Sequence, residues 1–206
     1  LGVPAHYNFA PGLLFRERTP HASLGLFVGR LLAEQDPELR AVLGLEVLAE
    51  VVPDAPYLPF FQGLLALRLG DVDEALERFA VAEPLQPACE ERALAAFYQA
   101  HAASLLERWD EAADHASRAI TADAGTMEFF HLRGVARFKA GDYAAAARDF
   151  EQAINIDSGN PLALANLGVC RLRLDDPAAA RHYLESALAL DPGLDFAREH
   201  LDGLEG

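Results

Sequence analysis

One period governs this chain. Trp109-Asp110-Glu111-Ala112, Tyr143-Ala144-Ala145-Ala146 and Pro177-Ala178-Ala179-Ala180 stand 34 residues apart, and Ala119, Ala153 and Ala187 recur in step with them. Upstream, Gly70-Asp71-Val72-Asp73-Glu74-Ala75 begins the same phrase, with Ala82 seven residues beyond Ala75. The step from Ala75 to Ala112 is 37, which places three extra residues, Glu90, Glu91 and Arg92, between those two units. A further 34 back, Ala41 and Leu48 fall in phase, with Asp36-Pro37 at the turn. Five units result, 22–55, 56–89, 93–126, 127–160 and 161–194, followed by a segment 195–206. A unit this short cannot bury its apolar face alone and must stack on copies of itself.

Within each unit the pattern is that of two antiparallel helices. In the fourth, Phe129 to Ala140 carries Phe130, Gly134 and Phe138 at helical spacing and stops at Gly141, a fitting C-terminal glycine. Asp142 then caps a second helix, Tyr143 to Ile156. Small residues at positions 8, 20 and 27 of the units let helices approach closely; position 8 holds Gly29, Gly63, Ala100, Gly134 and Gly168. A large residue at position 24 (Leu45, Phe79, Phe150, Leu184) fills the space between helices, with Ala116 the weak member. Pro53, Pro87 and Pro192, at position 32, are expected to end second helices, because proline cannot continue the hydrogen-bond ladder. The fold class is an all-α solenoid.

The 34-residue period and the pattern Gly134, Ala146, Phe150, Ala153, repeated as Gly168, Ala180, Leu184, Ala187, Pro192, resemble the tetratricopeptide repeat family. The resemblance covers 22–194 and implies a right-handed superhelix of helix pairs. Unit three departs from the pattern at Ala100 and Ala124, and unit one at Gly25. Segment 195–206 resembles the solvating helix that ends such arrays, with Phe196, Leu201 and Leu204 inward and Arg198, Glu199, His200 and Asp202 outward.

The first 21 residues do not fit the repeat. Pro4, Pro11, Gly12 and Pro20 break helices, while Tyr7, Phe9, Leu13, Leu14 and Phe15 are too apolar for a plain linker. Three readings stand: a cap on the outer face of unit one, an arm lying in a groove of its own or a neighbouring chain, or a severed piece of an upstream domain. The start at Leu1 rather than Met points to a chain processed or excised from something larger.

Charge narrows the partners. The chain has 17 Lys plus Arg against 32 Asp plus Glu, a net of −15. Nucleic-acid binding needs clustered cations to displace phosphate counterions, so none is expected, and docking on an anionic membrane is disfavoured on the same ground. No apolar run reaches the roughly 18 residues of a membrane span. Cys89 and Cys170 form no CxxC pair and read as buried small hydrophobes. A cytoplasmic home fits two free thiols, and a periplasmic one is compatible with them.

Catalytic signatures are missing: the chain has no GxSxG, GxxxxGK[ST], HExxH or CxxC pattern. Among the 7 histidines, His101 and His131 fall on neighbouring first helices and read as groove-lining polar contacts rather than a metal or acid–base pair. His182 and Glu185 read as a solvated face; Asp73, Glu74, Asp110 and Glu111 sit at helix N-termini, where they favour the dipole. No catalytic residue, cofactor or metal is expected.

The family resemblance implies that positions 2, 5, 9, 12 and 13 of the first helices line a concave groove. Unit two then offers Tyr57, Phe60, Leu64, Leu67 and Arg68, and unit three Leu94, Phe97 and His101, with Ser104 and Leu105 beside them. Unit four offers His131, Val135, Phe138 and Lys139 next to Glu128, and unit five Val169 and Arg173 next to Leu162, Ala165 and Leu172. Such an apolar trough suits an extended peptide or a helix of a protein partner, and any one of these side chains could instead pack between units. Arg30, Arg68, Lys139 and Arg173 make the trough less negative than the rest, which favours an apolar segment with acidic flanks or a free carboxylate.

The carboxylate clamp of co-chaperone repeats is missing. It would need Lys and Asn at positions 5 and 9, where the chain has Leu26, Phe60, Phe97, His131, Ala165 and Arg30, Leu64, His101, Val135, Val169. The asparagine ladder of glycosyltransferase repeats is missing too, since only Asn166 occupies position 6 as asparagine. The acidity and apolar trough are more similar to chaperones of bacterial type III secretion translocators, which have fewer repeats. The expected function is a protein–protein interaction scaffold. Its alternatives are a secretion or assembly chaperone for an apolar client, and the binding domain of a larger enzyme whose catalytic part precedes Leu1. Self-assembly through Trp109, Tyr7 and Phe9 is a further expectation.

Overall fold

A computed structural model of the chain describes residues 54–204. Segment 1–21, the first unit up to Pro53 with Gly29, Arg30, Ala41, Leu45 and Leu48, and Glu205 and Gly206 lie outside the described residues. Those described form nine α-helices and one 3-10 turn, with no strand. In chain order the helices are α1 Leu58–Leu69, α2 Val72–Ala82, α3 Cys89–Leu105, α4 Trp109–Ala122, α5 Met127–Lys139, α6 Tyr143–Ile156, α7 Pro161–Arg173, α8 Pro177–Leu190 and α9 Asp195–Asp202. Each odd-numbered helix up to α7 pairs with the next, and each pair stacks on the one before it.

Every turn inside a pair uses the same backbone device. Position 15 is left-handed in all four units: Gly70 (φ 83°), Glu107 (φ 58°), Gly141 (φ 89°) and Asp175 (φ 57°). The amide after it reaches back to a carbonyl five residues earlier, as from Asp142 to Arg137 and from Asp176 to Arg171, both 2.9 Å, closing a Schellman-type cap. Asp71, Asp142 and Asp176 then accept from the amides of Glu74, Ala145 and Ala179, which starts the second helix. Between units, Asp123, Asp157 and Asp191 accept from the amides of Gly125, Gly159 and Gly193 at 2.8–3.0 Å. The period of the sequence is thus a period of turn chemistry as well as of packing.

Two expectations are corrected where units two and three meet. Pro87 was expected to end the second helix, but α2 stops at Ala82 and Glu83–Leu85 forms a 3-10 turn. The cause is Pro84, which has no N–H to donate and whose ring collides with the carbonyl one turn back. Glu90, Glu91 and Arg92 were placed between units, yet they are the first turn of α3, which begins four residues ahead of Ala93. Arg92 anchors that added turn by donating to the carbonyls of Gln86 and Pro87, each at 3.1 Å.

The core runs along the seam between paired helices. A Cβ placed on Gly63 would lie 2.7 Å from the ring of Phe79, one on Gly134 2.9 Å from Phe150, and one on Gly168 2.9 Å from Leu184. Position 8 must therefore be glycine wherever position 24 is large. Unit three meets the same limit differently, with Ala100 and Ala116 both fully buried. Ala116 is a weak filler because its partner already carries the methyl. At the C-terminal end α9 lays Phe196, Leu201 and Leu204 against α7 and α8 and buries Ala197, while Arg198, Glu199 and Asp202 stay exposed.

Candidate functional site

The first helices of the units, α1, α3, α5 and α7, with Tyr57 just ahead of α1, carry the described residues expected to line a groove, and burial divides them by position. Position 5 is covered throughout: Phe60, Phe97, His131 and Ala165 are buried. The covering group is the first helix of the next unit. Phe60 meets Tyr98 edge-on at 5.5 Å, Phe97 meets Phe129 at 5.2 Å, and His131 Nε2 accepts from Asn166 Nδ2 at 3.0 Å. Leu94, Val135 and Val169 are buried as well. These six, Phe60, Leu94, Phe97, His131, Val135 and Val169, fill the packing between units instead of facing an open groove.

Toward the C-terminal ends of the same helices the surface opens: Leu64, Leu67, His101, Ser104, Phe138 and Leu172 are half-buried, as are Tyr57, Glu128 and Leu162 at the N-terminal ends. Leu105 is 53% exposed, and Arg68, Lys139 and Arg173 are exposed. A strip at positions 12 and 13 therefore runs from unit to unit, each step pairing a half-buried residue with an exposed one.

Five cations of α5 and α7 are of two kinds. Arg133, Arg137 and Arg171 point away from the strip toward second helices. Arg133 forks onto Asp149 with bonds of 2.7–3.1 Å and donates to Ser117 Oγ at 3.1 Å, while Arg137 donates to Asp149 at 2.8 Å. Asp149 is 2% exposed, so this is a buried carboxylate held between two guanidinium groups. Arg171 pairs with Glu151 of the preceding unit. The sequence reading missed this network; its signal was an arginine at position 7 and an aspartate at position 23 of one unit. The second kind is at position 13, where Lys139 lies 5.8 Å from the ring centroid of Trp109 and Arg173 5.9 Å from that of Tyr143. Each ring belongs to the preceding unit, so these are contacts between repeats.

The titratable groups suit packing better than chemistry. Burial pushes the His131 imidazole down to about 4, and lowers His101 in the same sense. A neutral His131 agrees with its role as acceptor from Asn166. Burial also raises the Cys170 thiol to about 12, while Cys89 is exposed. Cys89 thereby departs from the expectation of two buried thiols, because the added turn of α3 carries it outward. Among the described residues no group of three or more His, Cys, Asp or Glu side chains could hold a metal ion, and no helix is long and apolar enough to cross a membrane. A recess of about 290 Å³ between α7 and α9, open to solvent, is lined by Leu172, Glu199, His200, Gly203 and Leu204.

Residues 137–198 match the family model described as tetratricopeptide repeat. Over that stretch the chain is similar to tetratricopeptide repeats. Its architecture is also that of solved structures of the same repeat class. MamA from Desulfovibrio magneticus RS-1, residues 41 to the end, shares 17% identity at a TM-score of 0.72, over 87% of this chain and 99% of that one. YrrB, described as a TPR protein with an unusual peptide-binding site, shares 19% identity at a TM-score of 0.70, over 87% of each chain. The second TPR domain of human RPAP3, solved with the HSP70 peptide SGPTIEEVD, shares 24% identity at a TM-score of 0.56, over 58% of this chain and 99% of that one. At these identities the likeness is one of fold. No curated protein matches the sequence.

Proposed function

We propose that this repeat array is a protein-interaction scaffold that binds a peptide or helix of a partner along the open strip of its first helices. The observation that carries the reading is the placement of Leu67, Phe138 and Leu172 at position 12 and of Leu105 at the adjoining position 13, half-buried or exposed across four successive units. Isolated surface leucines need no explanation, but a ladder of apolar groups on one edge of a solenoid is the kind of surface that docks an extended chain. Peptide binding by YrrB and by the RPAP3 domain shows that this fold accommodates such ligands in other proteins.

The buried position-5 aromatics are unsuitable for testing this, because a charge at Phe60 or Phe97 would unfold the array instead of blocking it. Leu105→Glu with Leu172→Glu changes the open strip instead. Affinity capture with wild type and this double variant, each first checked by circular dichroism, tests the reading. The partner recovered with wild type should be lost with the variant. A partner retained by the folded double variant moves the binding surface off these helices.

A further inference from the structure

We infer that the segment bound along this strip is acidic, with carboxylates one repeat apart over Lys139 and Arg173; the inference rests on the binding reading above. The cations of this acidic chain are mostly spent. Arg78, Arg108, Arg118, Arg133, Arg137, Arg171, Arg181 and Arg198 each sit on a carboxylate, while Arg92 is held by backbone carbonyls and Arg148 stands on the exposed face of a second helix. Lys139 and Arg173 are different. Neither has a carboxylate within ion-pair distance among the described residues, and each rests on an aromatic ring of the preceding unit.

An aromatic shelf holds a cation without neutralising it. The ring takes one side of the charged group and limits its rotamers, leaving N–H donors toward solvent. Of the turn carboxylates beside them, Asp142 and Asp176 are occupied as helix caps by the amides of Ala145 and Ala179, and the exposed Asp175 makes no ion pair with Arg173. Immediately before each cation stands a half-buried apolar residue, Phe138 and Leu172. The strip therefore offers the same pair twice, an apolar contact followed by an oriented positive charge. A basic segment would meet two uncompensated like charges there, whereas a carboxylate completes the stack on the open side, bidentately at Arg173. The net charge of −15 works against any anion at long range, but salt screens it beyond about 8 Å, so the local pairs decide.

A display library of short random peptides, selected on the intact chain, tests the inference. Binders should be enriched in Asp and Glu. Their affinity, read by fluorescence anisotropy, should fall about tenfold or more in Lys139→Gln with Arg173→Gln and should weaken with added salt. Selection on Lys139→Glu with Arg173→Glu should shift the enrichment to Lys and Arg. If binders need Leu105 and Leu172 but show no acidic enrichment, or ignore both charge variants, the inference is overturned and the binding reading stands. If binders ignore Leu105 and Leu172 too, or none emerge, both are overturned.

Discussion

Gly134 of α5 faces Phe150 of α6 so closely that a Cβ on the glycine would stand 2.9 Å from the ring. Phe150 is fully buried and has no room to retreat. Alanine is the better helix former by about 1 kcal/mol, but overpacking a close-packed seam costs about 1–3 kcal/mol, so crowding wins. Gly134→Ala should lower stability, by up to about 2 kcal/mol, in urea unfolding. In unit three, Ala116→Phe should destabilise, and adding Ala100→Gly should recover part of the loss. Independent effects of those two substitutions would show that the seam does not couple them.

This seam was legible before any coordinates. The alternation of glycine at position 8 with a large residue at position 24, and their joint replacement by Ala100 and Ala116, can be read from the repeat register alone. Pro84 stands outside the repeated positions, so the register alone points to Pro87.

Glu107 and Asp175 occupy left-handed backbone positions that Gly70 and Gly141 fill elsewhere. An L-residue there carries a penalty of about 1–2 kcal/mol, partly offset because glycine loses more freedom on folding. Glu107→Gly should raise the stability by about 0.5–1 kcal/mol, visible as a higher thermal midpoint. Gly141→Ala should do the reverse, although no atom lies within 4 Å of the added methyl. A neutral result for both would remove the backbone account of these turns.

Asp149 is the carboxylate partner of both Arg133 and Arg137. Taking it away strands two largely buried guanidinium groups. Asp149→Ala should therefore cost about 3–5 kcal/mol, with Asp149→Asn losing less because the amide oxygen still accepts. Chemical denaturation of the two variants measures the difference. A loss below about 1 kcal/mol in the alanine variant would mean that the pair behaves like an exposed surface bridge.

His131 supplies a pH dependence of stability. Its folded value, about 4, lies below the ordinary histidine value of 6.5, so between the two the unfolded chain binds a proton that the folded chain refuses. Stability from this residue is complete above about pH 6.5 and is lost as pH falls toward 4, by about 3 kcal/mol in all. His101 and His115, also lowered, act in the same direction. His131→Gln keeps a hydrogen-bonding group for Asn166 and does not titrate, so it should flatten the thermal midpoint against pH in that window. An unchanged slope would assign the acid sensitivity to other groups.

The period, the pairing of helices and the small-to-large seam are legible in the residues alone, because they follow from local spacing and from volumes that must match within one unit. The register also puts positions 2, 5, 9, 12 and 13 on or beside the first helices, but which of them are open is set by the stacking of the units. Side chains at position 5 cross into the next unit, where Tyr98, Phe129 and Asn166 cover them, while positions 12 and 13 lie beyond that cover. The same stacking separated the cations: Arg133 and Arg137 turn inward to Asp149, and Lys139 and Arg173 stay at the surface on rings of the preceding unit. Register gives the face of a helix on which a residue stands. Whether that face is covered depends on how units stack, and no spacing within one unit carries that information.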